Sequence, residues 1–319
     1  DVQDRDLRRR ARLVVVVDRL QERAAAVPLA GFDGTADADL GEQRAARLSV
    51  TELDRLRADP FAFYARRILA LPSLDPVDAE PSAAWRGILV HEILELWHRD
   101  DALDAAKLVP RAERFLQAAN VHPLIKALWR PRLVAALDWI AQQTHADAAT
   151  GRAMIDAERS GTFLIDGVEI RGKADRIDRM PDGSIGIVDY KTGKPPSARQ
   201  VRGGYALQLG LLGLIAESAD GAFPGVAGAR VAGSFEYWSL AKKGDAFGYR
   251  ESPVDPMGKR DKIVTADFTA FVYDQFRDAA ETWLTGAAPF AAQVNPEVAN
   301  YGDYDQLMRL EEWYGRDDG

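Results

Sequence analysis

AMIDAERSGTFLIDGVEIRGKADRIDRMPDGSIGIVDYKTG, residues 153–193, is the stretch that decides the fold. Its apolar residues come in short runs separated by Asp166-Gly167 and Asp182-Gly183. Both dipeptides favour the left-handed backbone of tight hairpin turns. The spacing predicts a meander of about three or four strands. The last strand ends in IVDYKTGK, residues 187–194, where an acid and a lysine two apart close an apolar run. A surface strand would scatter its charges, and a core strand would carry none.

Outward from the meander the pattern is helical. Upstream, SVTE at 49–52 reads as a capping box with Ser49 as N-cap. Asp59-Pro60 supplies a second N-cap with proline at the first helical position, so 50–70 reads as two short helices. Residues 82–100 form a longer amphipathic helix. Helices continue through roughly 103–148, with Pro110, Pro123 and Pro131 marking breaks or starts. Downstream, a helix is expected at 198–217, a strand at 229–240 with 246–253 as its partner, and helices at 265–286 and near 304–314. The expected fold is α/β: a mixed central sheet flanked by helices, preceded by a helical region. Residues 1–27 read as a further helix and 28–47 as a linker. We therefore expect 1–48 to be the tail of a preceding domain and 49–319 to be one domain. The chain does not start with Met, which suggests a piece of a longer protein.

The 319 residues carry 47% hydrophobic and 28% charged side chains, an ordinary globular balance. There is no cysteine, which excludes disulfides, thiolate zinc sites and a cysteine-held iron–sulfur cluster within these residues. No apolar run approaches the length of a membrane span, so no membrane association is expected. The net charge of −8 excludes a uniformly basic surface but not a local basic groove.

The chemistry concentrates at the strand ends. Side chains alternate along a strand, so Asp189 and Lys191 project from one face. With Asp175 opposite them on the preceding strand, two carboxylates converge beside one ammonium. Converging carboxylates repel unless a cation separates them. Hard oxygen ligands suit Mg²⁺ or Mn²⁺, which can polarise a phosphoryl oxygen and acidify water. Lys191 is placed to orient the attacking water or to offset charge on the phosphate. Asp-x-Lys at a strand end is commonly only a surface ion pair. The Gly-x-x-Asp of GKADRID (172–178) and the helix around GILVH (87–91) tip the balance. Gly87 leaves room one turn before His91, which then reads as a third metal ligand. His98 is expected to be solvated. Asp178, three residues from Asp175, belongs on the other face, paired with Arg176 or Arg179. An acid at Glu158 opens the meander without an assigned role.

The order GILVH, GKADRID, IVDYKTGKPPS, ALQLGL resembles the PD-(D/E)XK nucleases of the RecB type. Within that type it resembles the C-terminal nuclease domain of AddB-type subunits of helicase–nucleases. SFEYWSL (234–240) and YGDYDQLMRLEEWYG (301–315) share the likeness, which covers roughly 49–315 and implies a restriction-endonuclease-like fold. The resemblance implies that Asp175 and Asp189 bind metal, and that Lys191 is the catalytic lysine. His91 and the backbone carbonyl of Tyr190 would add ligands, and Gln208 would contact the site or DNA. It further implies Mg²⁺-dependent exonuclease action on single-stranded DNA during double-strand break repair, an AddA-like partner subunit, and a bacterial cytoplasmic, nucleoid-associated location.

Two departures stand out. Relatives often carry Gln-x-x-x-Tyr, but Leu212 follows Gln208 here, and Tyr205 is the nearest candidate substitute. Relatives also often staple the domain with an iron–sulfur cluster. Asp59 in ADPFAFY (58–64) stands where a cysteine would be, so packing that involves Trp313 and Tyr314 must replace the staple. Lys194, Arg199 and Arg202 form one basic group that could follow a DNA backbone. Lys242, Lys243, Lys259, Arg260 and Lys262 form another. No Walker A pattern occurs, so ATP binding is not expected of these residues. A rival reading is a non-catalytic DNA-binding or scaffolding subunit that keeps the fold. A stand-alone nuclease of the RecB type is a third.

Overall fold

The computed structural model describes residues 47–71, 83–119, 122–218, 223–224, 226, 231–285, 288, 290–291 and 304. The expected helix at 1–27, nearly all of the linker, the helix near 304–314, and Trp313 and Tyr314 lie outside these residues. The chain divides into two compact units, one of residues 1–76, 166–168 and 274–319, the other of 77–165 and 169–273.

In the first unit, β1 (Arg47–Ser49) leads into α1 (Val50–Ala58) and α2 (Pro60–Arg67). The capping box forms as expected. The Glu52 amide donates to Ser49 Oγ at 3.2 Å, and the Ser49 amide donates to Glu52 Oε2 at 2.8 Å. Asp59 caps α2 by accepting from the Ala62 amide at 3.0 Å. Residues from the end of the chain close this unit. Phe63 and Tyr64 stack on Phe290, with ring centroids 6.0 and 5.3 Å apart. The Tyr304 hydroxyl donates to the Leu71 carbonyl at 2.7 Å. Arg57 donates to the Gln275 carbonyl and side chain, each at 2.8 Å. These contacts close the unit without any cysteine.

The second unit opens with α3 (Ala83–Asp101), α4 (Ala105–Ala118) and α5 (Pro123–Ala149). Pro123 starts a helix as expected, but Pro110 and Pro131 lie inside α4 and α5. Burial of Leu108, Ala112 and Leu116 on α4, and of Leu133 and Leu137 on α5, overrides the local cost of each proline. The sheet follows, with β2 (Ala153–Ile165), β3 (Val168–Arg179), β4 (Ile185–Lys191), β5 (Ala232–Lys243) and β6 (Ala246–Glu251) adjacent in that order. Asp166 and Gly167 both adopt positive φ, the geometry of a tight hairpin. β3 and β4 pair antiparallel, β4 and β5 parallel, β5 and β6 antiparallel, giving the expected mixed sheet. Val188, Tyr190, Trp238 and Leu240 join Trp97, Leu116 and Leu137 in one buried core between sheet and helices.

The expected helix at 198–217 is two helices, α6 (Ala198–Arg202) and α7 (Gln208–Glu217). Gly203-Gly204 interrupts it, with Gly204 at φ +79°. Gln208 thereby becomes the first residue of α7. Tyr205 sits half-buried in the connection, not on the helix of Gln208. On α7, a Cβ at Gly213 would lie 2.6 Å from Phe235 Cε1, and one at Gly210 would lie 2.3 Å from Val272 Cγ2. The helix therefore seats on β5 and α8 (Phe268–Ala279) only with glycine at both points. Gly213→Val is expected to lower stability by about 3 kcal/mol through overpacking, read as a fall in the urea midpoint. Leu212→Met, of similar volume, should cost under about 1.5 kcal/mol.

Candidate active site

Three strands and two helices bring the site together. Asp175 lies one step beyond the Arg176–Val188 pair of β3 and β4, facing the end of β4. Its Oδ2 accepts from the Tyr190 amide at 2.7 Å, which ties the two strand ends. Its Oδ1 lies 3.3 Å from His91 Nδ1 on α3. The same nitrogen is 2.9 Å from Glu158 Oε1 on β2. Glu158 has φ +50°, a conformation that β-strand residues other than glycine seldom adopt. Held strain of this kind re-aims a side chain, here toward His91 and Asp175. Lys173, two residues before Asp175 on β3, places its Nζ 2.6 Å from Glu158 Oε2.

The ligand atoms of His91, Glu158 and Asp175 lie within 4.8 Å of one another. One imidazole nitrogen and two carboxylates form a hard, anionic donor set that fits a divalent cation such as Mg²⁺ or Mn²⁺. The His91 ring nitrogen lies against both carboxylates. Burial disfavours its charge, but hydrogen bonds and charge from Asp175 and Glu158 outweigh that and push its pKa up to about 10. Burial also works against ionised Glu158, yet His91 and Lys173 hold its carboxyl below the usual range. A Cβ at Gly87, one turn before His91, would meet nothing within 4 Å.

Beside this cluster stands a second group. Lys191 Nζ is 2.7 Å from Asp189 Oδ2 and donates to Gln208 Oε1 at 3.2 Å. The split before α7 is what points Gln208 at Lys191. Asp189 is buried, and burial together with Asp175 pushes its pKa up to about 7 against the pull of Lys191 and His91. Tyr237, the parallel partner of Asp189, lies under Lys191 with its ring centroid 5.9 Å from Nζ. Leu212 is fully buried on α7. The structure thus gathers His91, Asp175, Asp189, Tyr190, Lys191 and Gln208, and it adds Glu158 and Lys173.

Behind β3 and β4 lies a buried ionic layer. Asp178 pairs with Arg176 at 2.7 Å, as expected, and with Arg152 at 2.6 Å. Arg176 and Arg250 lie over the Trp238 ring at 4.4 and 4.3 Å. Asp178 is therefore structural. His98 is half-buried rather than solvated, and burial lowers its pKa. His122 caps α5, accepting from the Leu124 amide at 3.2 Å.

The basic residues singled out in the sequence lie at the surface. Lys194, Arg199 and Arg202 are exposed. Arg202 lies 3.8 Å from Asp261, which brings this group against the loop of Lys259, Arg260 and Lys262. That loop joins β7 (Val254–Asp255) to β8 (Ile263–Val264), and Lys262 lies 3.7 Å from Glu251. Among the described residues no helix is long and apolar enough to cross a membrane.

Comparison with known proteins agrees with this geometry. An uncharacterized protein of Rickettsia bellii is 27% identical over 172 residues, covering 51% of this chain and 20% of its own length. An ATP-dependent helicase/deoxyribonuclease subunit of Streptococcus mutans is 29% identical over 156 residues, covering 46% of this chain and 14% of its own length. The corresponding helicase/deoxyribonuclease subunit of Streptococcus uberis is 25% identical over 155 residues, or 46% of this chain and 14% of that protein. The chain thus spans about a fifth or less of these relatives. The sequence model of the PD-(D/E)XK nuclease superfamily matches residues 47–301, four-fifths of the chain and every residue of the pocket, so the chain belongs to that superfamily.

Proposed function

We propose that this chain hydrolyses phosphodiesters of single-stranded DNA, as the nuclease domain of a bacterial helicase–nuclease that processes double-strand breaks. The observation that carries the reading is the His91–Glu158–Asp175 cluster beside the Asp189–Lys191–Gln208 group. In this reading 49–319 is the nuclease domain and 1–48 the tail of a preceding domain. In this reading the chain works with an AddA-like helicase–nuclease subunit, and ATP binding is not a task of these residues, which hold no Walker A pattern. The location is the cytoplasm, at the nucleoid.

His91, Glu158 and Asp175 would hold Mg²⁺ or Mn²⁺, with Asp189 and the Tyr190 carbonyl on its β4 side. A divalent ion there supplies Lewis acidity to the phosphate and lowers the pKa of water. The chain's own residues do the rest. The Tyr190 amide fixes Asp175, and Gln208 and Asp189 fix Lys191. Lys191 then donates to the phosphate as negative charge builds on it. Water oxygen bonds to phosphorus, the bond to the 3′-oxygen breaks, and that oxygen leaves with a proton. Between Asp189 and Glu217 there is no acid, and Lys191, Lys194, Arg199 and Arg202 fall in that interval. In a chain of net charge −8 this is a local basic surface suited to the incoming strand.

The test is degradation of end-labelled single-stranded DNA with Mg²⁺ or Mn²⁺, comparing the chain with Lys191→Ala. We expect cation-dependent cleavage that falls by about 10²–10³-fold in the variant, with unchanged Mn²⁺ affinity. Mn²⁺ binding without cleavage would point to a need for the motor subunit. A chain that neither binds nor cleaves would favour the scaffolding reading, whose motives are buried Leu212 in place of a tyrosine and the net charge of −8.

A further inference from the structure

Among the described residues, Lys173 is the cation of the pocket that the mechanism leaves without a task. It shares the β3 face of Asp175, because residues two apart project alike. Its side chain is 54% exposed, whereas Glu158 and Asp175 are each 8% exposed. Its ammonium touches Glu158 on the carboxylate oxygen away from His91, Oε2 rather than Oε1. The acidic cluster is therefore flanked by two lysines, Lys191 on the β4 side and Lys173 on the open side. Lys191 is anchored twice, by Asp189 and Gln208. Lys173 has the Glu158 contact and otherwise faces solvent.

We propose that Lys173 is a substrate-positioning residue that binds a phosphate of the DNA strand next to the one being cut. The inference rests on the nuclease reading. A divalent cation held by Glu158 repels an ammonium at hydrogen-bonding distance from the same carboxylate. Lys173 then swings outward on its four-carbon stem, and the nearest anion for it is the backbone of a strand lying across the pocket. Without a cation it returns to Glu158 and keeps that carboxylate aimed inward. One lysine thus serves as counter-ion in the resting pocket and as phosphate contact in the loaded one.

The experiment uses the full chain, its Lys173→Ala and Lys173→Arg variants, and a fluorescein-labelled single-stranded dT20. Mn²⁺ affinity is read by electron paramagnetic resonance, oligonucleotide affinity by anisotropy across a salt series, and KM and kcat separately. Lys173→Ala should weaken dT20 binding about tenfold and lower the salt slope by about one. It should raise KM more than it lowers kcat and leave Mn²⁺ affinity unchanged or tighter. Lys173→Arg should restore most of the dT20 affinity. Weaker Mn²⁺ binding with unchanged dT20 binding would overturn the inference, leaving Lys173 as a prop for Glu158 alone. A wild-type chain that binds Mn²⁺ but not dT20 would overturn it while sparing the metal centre. A chain that binds neither would remove the nuclease reading and this inference together.

Discussion

Asp175→Asn should reduce DNA cleavage by about 10³-fold and Mn²⁺ affinity by at least about a hundredfold, with the fold intact. The carboxylate does two jobs at once. Oδ2 accepts from the Tyr190 amide, and Oδ1 faces His91. An amide can keep only one of these, because its NH₂ group must point at a donor on the other side. A second readout does not depend on activity. With one of its two carboxylate neighbours gone, His91 loses the main charge that holds its pKa near 10, so its ring should titrate at lower pH by NMR. An unchanged His91 titration would mean that Asp175 is not where the structure puts it, whatever happens to cleavage.

The second large effect runs in opposite directions for stability and activity. Asp189→Asn should abolish cleavage yet stabilise the metal-free protein. Burial and Asp175 raise the pKa of Asp189 to about 7 in the folded state, above its unfolded value near 3.8. The folded state therefore holds this proton more tightly than the unfolded one. Stability linked to the group is full below the unfolded value and is lost as pH rises toward 7. Above that, ionised Asp189 is a constant penalty that asparagine does not carry. Allowing for the lost partner of Lys191, we expect a gain of about 1–2 kcal/mol at pH 8, shrinking to nothing near pH 4. Thermal melts of both proteins at the two pH values check this. Added Mn²⁺ should raise the melting temperature of the wild type and scarcely move that of the variant. A variant less stable than wild type at pH 8 would refute the argument that Asp189 is held at a cost.

The sequence carried the parts of the site that sit on regular structure. Asp-Gly dipeptides announced the hairpins, and alternation put Asp189 and Lys191 on one face. A one-turn spacing tied Gly87 to His91. Glu158 escaped full assignment because its positive φ breaks the alternation that such reasoning relies on. The same holds for Lys173, whose meaning comes only from the re-aimed Glu158. The break before Gln208 was missed because a helical pattern of apolar residues ran past Gly203-Gly204. The layer around Trp238 had no local signal. Arg152 enters from the turn after α5 and Arg250 from β6, nearly a hundred residues apart. Only the sheet brings them to Glu236, at 2.8 and 3.9 Å.

Asp59 gives the last consequence. Its carboxylate caps a helix, and the ring of Phe290, the hydroxyl of Tyr304 and the guanidinium of Arg57 close the unit around it. None of these groups needs an inorganic cofactor to be assembled and inserted. A cell starved of iron, or flooded with peroxide, would still close this unit.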